Sequence, residues 1–143
     1  MQPRAIDGIL IFDLEGRIVL GPALGTLQDA VEAGVHKGDK RQILNLKQVS
    51  TIDSSGLGTL VFLHTTLSGA GGALKLLHLS EKHLELLVLT KLTGVFEIFD
   101  DEQEAINSFY PEREVRHFDI LEFVKSQENE APVISEPVEE NQE

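Results

Sequence analysis

Residues 43–60 read I-L-N-L-K-Q-V-S-T-I-D-S-S-G-L-G-T-L, from Ile43 to Leu60. The run Ile43-Leu44-Asn45-Leu46 predicts a short buried strand. After the polar stretch Ser50 to Gly56, residues Leu57, Leu60, Val61, His64 and Leu67 recur at helical spacing and predict a helix that ends at Gly69. A strand end therefore feeds a helix that begins beside two serines. At such a start the first amide hydrogens lack partners within the helix and the peptide dipoles present positive charge, so an anion or a hydroxyl oxygen is favoured. Asp53 and Ser54 both suit the cap, Ser54 being the expected one. Gly56 and Gly58 each cost about 1 kcal/mol relative to alanine inside a helix. Their presence in the first turn predicts a close approach to the backbone, such as a partner's active site would make.

The flanking sequence repeats the strand-helix alternation. Gly8 to Leu14 and Arg17 to Leu20 are strand candidates on either side of Glu15-Gly16, which supplies the turn residue of a hairpin. After Gly21-Pro22, Leu24, Leu27, Val31 and Val35 mark a first helix closed by Gly34, Gly38 and Asp39. Gly69-Ala70-Gly71-Gly72 is a turn, since it lies between a helix and a strand, the reverse of a phosphate-cradling loop. Ala73 to Leu79 is the next strand. Ser80 caps a helix with Leu84, Leu87 and Val88 inward, and Gly94 stops it. Val95 to Phe99 gives another strand, and Asp101 with Glu104 starts a helix carrying Ala105, Ile106 and Phe109. Strands joined by helices imply right-handed crossovers, hence an α/β fold: a mixed, mostly parallel sheet of about 4–5 strands, an N-terminal hairpin and about 4 helices.

Composition narrows the function. The 143-residue chain has no cysteine, which removes disulfides, thiolate metal sites and cysteine nucleophiles. Its net charge of -12 repels nucleic acid and anionic lipid surfaces. No stretch approaches the roughly 20 apolar residues of a membrane span, and no cationic segment followed by an apolar run opens the chain, so a cytoplasmic location is expected. Half of the excess charge lies beyond Ser126, where six glutamates occur without Lys or Arg. That composition predicts an acidic, disordered tail over 126–143. The folded domain is expected over 1–125, with its core at 8–109 and one extra helix at 119–125.

The string I-L-N-L-x-x-V-x-x-I-D-S-S-G-L-G at Ile43 to Gly58 resembles the STAS domain, the fold of bacterial anti-sigma-factor antagonists. The resemblance extends through G-G-A-L-K-L-L at Gly71 to Leu77 and T-G-V-F-E-I-F-D-D-E-x-E-A-I at Thr93 to Ile106. It implies that Ser55 accepts a phosphate from a partner anti-sigma factor that is also a serine kinase. The unphosphorylated form would bind that partner and free a sigma factor; phosphorylation would end binding, and a metal-dependent serine phosphatase would reset the switch. Asp53, Ser54, Ser55, Gly56, Leu57 and Gly58 are the implied partner-binding residues, with Asp53 in a supporting role. The chain departs from the family at Gly21-Pro22-Ala23-Leu24, where many members have an acidic residue before the first helix. That departure leaves open a different kinase, or a non-phosphorylated STAS scaffold or accessory subunit of a signalling or lipid-transport complex. A monomer or weak homodimer is expected.

Catalysis would require Ser55 to pair with His64 or His83. His64 follows Ser55 by nine residues on one helix, about 13 Å along its axis, beyond hydrogen-bond reach. His36, His64, His78, His83 and His117 show no ligand spacing, so neither a metal nor a cofactor is expected. Asp100, Asp101, Glu102 and Glu104 complement a helix start and need no bound cation.

Overall fold

Successive strand residues point to opposite faces, so runs apolar at every position require cover on both sides of a sheet. The computed structural model describes residues 2–113 and supplies that cover unequally. Its elements are β1 (Arg4–Ile6), β2 (Ile9–Ile18), α1 (Pro22–His36), β3 (Arg41–Ile52), α2 (Ser54–Gly69), β4 (Ala73–Leu77), α3 (Glu81–Leu89), β5 (Ile98–Phe99) and α4 (Glu102–Asn107). The strands lie in the order β1-β2-β3-β4-β5, with β1 antiparallel to β2 and the rest parallel. Phe12, Leu14, Leu44, Leu46, Leu74 and Leu76 form the larger core with the inward residues of α1, α2 and α3. Ile9, Ile11, Ile43, Leu77 and Phe99 form the smaller one with Ala105 and Ile106 of α4. The mixed α/β sheet with an N-terminal hairpin and four helices matches the expected architecture. The expected helix at 119–125 and the acidic segment 126–143 lie outside the described residues.

The hairpin sits one step earlier than expected. Its turn is Asp7-Gly8, with φ of 56° and 80°, the pair of positive values that a two-residue turn between twisted strands requires. Glu15-Gly16 lies instead within β2, whose pairing with β3 slips between Asp13 and Glu15 and again between Gly16 and Arg17. β3 is also longer than the apolar run Ile43 to Leu46. Beyond Asn45 it has lost β4, so Gln48, Val49, Thr51 and Ile52 pair with β2 alone, in a stretch with the mixed polarity of a half-exposed ribbon. This ribbon runs on to Ile18 opposite Ile52, which delivers the chain to the start of α2.

Three helices end the same way. In α1 the Asp39 N–H donates to the Gly34 carbonyl, in α2 Gly72 donates to Leu67, and in α3 Leu92 donates to Leu87. The residue before each donor has a positive φ: Gly38 (94°), Gly71 (87°) and Lys91 (61°). This closure satisfies carbonyls that the helix leaves free. α3 therefore stops at Leu89, before Gly94, because a lysine takes the left-handed position that glycine usually fills. The strand expected at Val95 to Phe99 shortens accordingly to Ile98–Phe99, although the Glu97 carbonyl still accepts from the Leu76 N–H.

Candidate functional site

The start of α2 is built around the Asp53 carboxylate. Asp53 has extended backbone, with φ -95° and ψ -176°, which turns its side chain back over the first helical turn. Oδ1 accepts from the Gly56 N–H at 2.7 Å and Oδ2 accepts from the Leu20 N–H at 3.0 Å. The Asp53 N–H donates to the Ile18 carbonyl at 3.3 Å. One residue thus joins the end of β2, the end of β3 and the start of α2. The amide of Gly56 first, then that of Leu20, hold the Asp53 carboxyl below the usual carboxylate range. Asp53, rather than Ser54, is the cap. Ser54 is already the first residue of α2 and is exposed, and the capping bond to the Gly56 amide is made by Asp53.

Ser55 follows as the second residue of α2 and is partly exposed. Neither the Ser54 nor the Ser55 hydroxyl has a hydrogen-bond partner among the described residues. The close approach expected at Gly56 is met inside the molecule. A β-carbon on Gly56 would lie 2.0 Å from the Ile18 carbonyl oxygen, whereas one on Gly58 would meet nothing within 4 Å. Leu57 is 7 % exposed and belongs to the larger core, so its side chain is a packing residue and not the surface contact expected of it. The outward surface of the segment consists of Ser54, Ser55 and Gly58, with the Asp53 carboxylate at its edge.

Two apolar residues beside this surface were not singled out from the sequence. Leu20 is 77 % exposed, and its amide is the one bound by Asp53. Phe62 is 48 % exposed and follows Ser55 by seven residues, which returns it to the same side of α2 about 10 Å further along. Phe62 was legible as an apolar residue off the inward stripe; Leu20 read as the last residue of a strand. The candidate serine partners lie elsewhere. His64 packs edge-on against Phe96 at 5.5 Å between ring centres. His83 is buried at the start of α3, where burial and then the charge of Lys82 keep its imidazole below its ordinary pKa.

Residues 1–105 match the family model described as the STAS domain. The chain belongs to the STAS domain family. Two curated relatives of this STAS domain protein are named as candidate anti-sigma factor antagonists. The one from Thermotoga maritima is 35 % identical over 72 residues, 50 % of this chain and 64 % of the relative, so the match spans just under two thirds of that protein's length. BtrV from Bordetella bronchiseptica is 28 % identical over 104 residues, 73 % of this chain and 89 % of BtrV. A crystal structure of a candidate anti-sigma factor antagonist from Thermotoga maritima superposes with a TM-score of 0.70 at 26 % identity, covering 76 % of this chain and 92 % of that one. The STAS match takes in every element from β1 to β5, and with it the whole of the Asp53 to Gly58 segment. No helix among the described residues is long and apolar enough to cross a membrane.

Proposed function

We propose that this STAS domain protein is an anti-sigma-factor antagonist whose binding state is set by phosphorylation of Ser55. The observation that carries the proposal is a free, partly exposed hydroxyl one residue into a helix whose start is pinned to the sheet by Asp53. In the unmodified state Ser54, Ser55 and Gly58 present a small neutral surface, edged by Asp53 and flanked by Leu20 and Phe62. An anti-sigma factor that doubles as a serine kinase binds there and gives up its sigma factor. Phosphorylation adds about -1.5 to -2 charges and three acceptor oxygens to the middle of that surface.

The dianion is tolerated within the domain, since amides at a helix start favour anions. Asp53 already holds the Gly56 amide, so the phosphate faces a carboxylate and keeps most of its charge outward. Across an interface shaped for a hydroxyl it must shed water without gaining equivalent partners, at a cost of several kcal/mol. Each 1.4 kcal/mol is tenfold in affinity, so release by about 100-fold or more follows without refolding. A serine phosphatase restores the binding form. The protein acts as a binding module of the cytoplasm, not as a catalyst, and works as a monomer or weak homodimer.

The test is a comparative pull-down of native partners with wild type, Ser55→Ala and Ser55→Asp. Wild type and Ser55→Ala should capture an anti-sigma factor, and Ser55→Asp should not. With the captured kinase and ATP, mass spectrometry should find one phosphate on wild type and none on Ser55→Ala. Equal capture by all three proteins would refute the switch. One observation favours a second reading, a STAS scaffold or accessory subunit that is never phosphorylated: α1 begins at Gly21-Pro22 with no acidic residue in its first turn, so the carboxylate that many resembling proteins carry near this point is missing. Equal capture is the result that a scaffold gives.

A further inference from the structure

The pole of the sheet opposite Ser55 concentrates positive charge in a chain of net charge -12. There, at the starts of β3 and β4, lies a recess of roughly 510 Å3 whose charged lining residues are Lys40, Arg41 and Lys75. Among the described residues, no carboxylate lines it. Two of its lining residues are packed backbone to backbone: Gly72 lies so close to Lys40 that a β-carbon would come within 1.9 Å of the Lys40 carbonyl oxygen. Lys75 is buried, donates to the Ser108 hydroxyl at 2.8 Å and lies over the Phe109 ring at 4.2 Å; the exposed Glu97 approaches it at 3.3 Å. Arg41 lies over the Tyr110 ring at 5.2 Å and is otherwise exposed, as is Lys40. Neither Lys40 nor Arg41 forms an ion pair among the described residues.

The described chain ends beside this recess. Arg113 stacks on Tyr110 at 4.3 Å and reaches the Asp7 carboxylate at 3.4 Å, one residue from Gly8, which lines the rim. Residues 114–143 continue from that point, and 126–143 hold six glutamates with no Lys or Arg. The intervening residues 114–125 reach at most about 40 Å when extended, more than enough to bring the acidic segment back to the recess. Tethering of this kind raises the local concentration of the carboxylates to the order of millimolar, so contacts too weak to hold a free peptide become populated.

We propose that the acidic segment 126–143 of the same chain docks in this recess, with its glutamates on Lys40 and Arg41 and on the rim of the Lys75 site. The docking is held by charge, leaves the Ser55 pole free and does not rest on the proposed switch. It masks a cationic surface that would otherwise attract unrelated anions.

The 143-residue chain has no cysteine, so Ala131→Cys gives a single site for a nitroxide label. In isotope-labelled protein at about 20 mM salt, the label should broaden the amide signals of Lys40, Arg41 and Gly72 far more than those near Ser55, and about 0.5 M salt should restore them. Lys40→Glu with Arg41→Glu, and separately replacement of the six glutamates by glutamine, should each remove the effect. The glutamine protein leaves the folded domain untouched, so its result stands even if the charge reversals disturb the fold. Broadening that is absent or spread evenly overturns the proposal. So does equal broadening when spin-labelled and isotope-labelled chains are mixed, which places the segment on a second copy. Recess signals that respond to millimolar inorganic phosphate but not to the label also overturn it, leaving a site for free anions only.

Discussion

Gly56→Ala and Gly58→Ala are the same substitution two residues apart in one helix, and the structure gives them opposite signs. The added methyl at Gly56 would start 2.0 Å from the Ile18 carbonyl oxygen and 2.9 Å from both Ile18 C and Cγ2. The nearest atom is backbone in a paired strand, so no side chain can swing aside. Either α2 lifts from β2 or the end of β2 bends, and both movements pull on the Asp53 bonds to Leu20, Gly56 and Ile18. Forced overpacking of this kind costs about 1–3 kcal/mol, and a backbone neighbour places it near the top of that range. Alanine returns about 1 kcal/mol in helix propensity, which leaves a net loss of about 2 kcal/mol. At Gly58 no atom lies within 4 Å, so only the propensity gain remains, about 0.5–1 kcal/mol of added stability. Urea unfolding followed by far-ultraviolet circular dichroism measures both, with the midpoint moving down for Gly56→Ala and up for Gly58→Ala at unchanged slope. A Gly56→Ala protein as stable as wild type would show that α2 does not press on β2 as described, and the geometry of the Ser55 site would fall with it.

Two further outcomes are expected. Asp53 has a folded pKa below its unfolded value, so its stabilising contribution is complete above the ordinary carboxylate range near pH 4 and is lost as pH falls through the folded value. Asp53→Asn keeps an acceptor for Gly56 but sets an amide group against the Leu20 N–H; it should lower the urea midpoint at pH 7 and narrow the gap to wild type near pH 3, and a gap that does not narrow would remove the carboxylate from the account. Lys91→Gly relieves a left-handed lysine at the end of α3 and should raise stability by about 0.5–1 kcal/mol, read from the same unfolding curves; a loss would mean that the lysine side chain contributes more than its backbone conformation costs.

Much of the fold was legible because its cores write themselves as short, mainly apolar runs. Ile43 to Leu46 and Leu74 to Leu77 are covered on both faces, and the inward stripes of α1 and α2 keep helical spacing over several turns. The caps at Ser80 and Asp101 were equally plain, each accepting from an amide three residues on. What failed was punctuation. Glu15-Gly16 and Asp7-Gly8 look alike in sequence, and only the pairing of Arg4 to Ile6 with Ile9 to Ile11 decides which one turns the chain. Lys91 gave no sign of a helix end because its left-handed backbone is enforced by the hydrogen bonds around it, not by its own preference. At the site, Asp53 to Gly58 could be marked out as a unit. The division of that unit between an inner face, Gly56 and Leu57, and an outer one, Ser54, Ser55 and Gly58, could not, because it depends on Ile18, a residue from another strand.

The seat of Gly56 on Ile18 settles in what form Ser55 meets the outside world. The serine is offered from the opening turn of a helix welded to the sheet, not from a stretch of extended chain. An enzyme whose cleft threads its substrates as straight peptides would have to peel that turn away first, breaking the Asp53 bonds and opening the core behind Leu57. On the proposed switch, a kinase for Ser55 would therefore have to read a shape rather than a string of letters, and a short peptide copied from these residues would carry the letters without the shape.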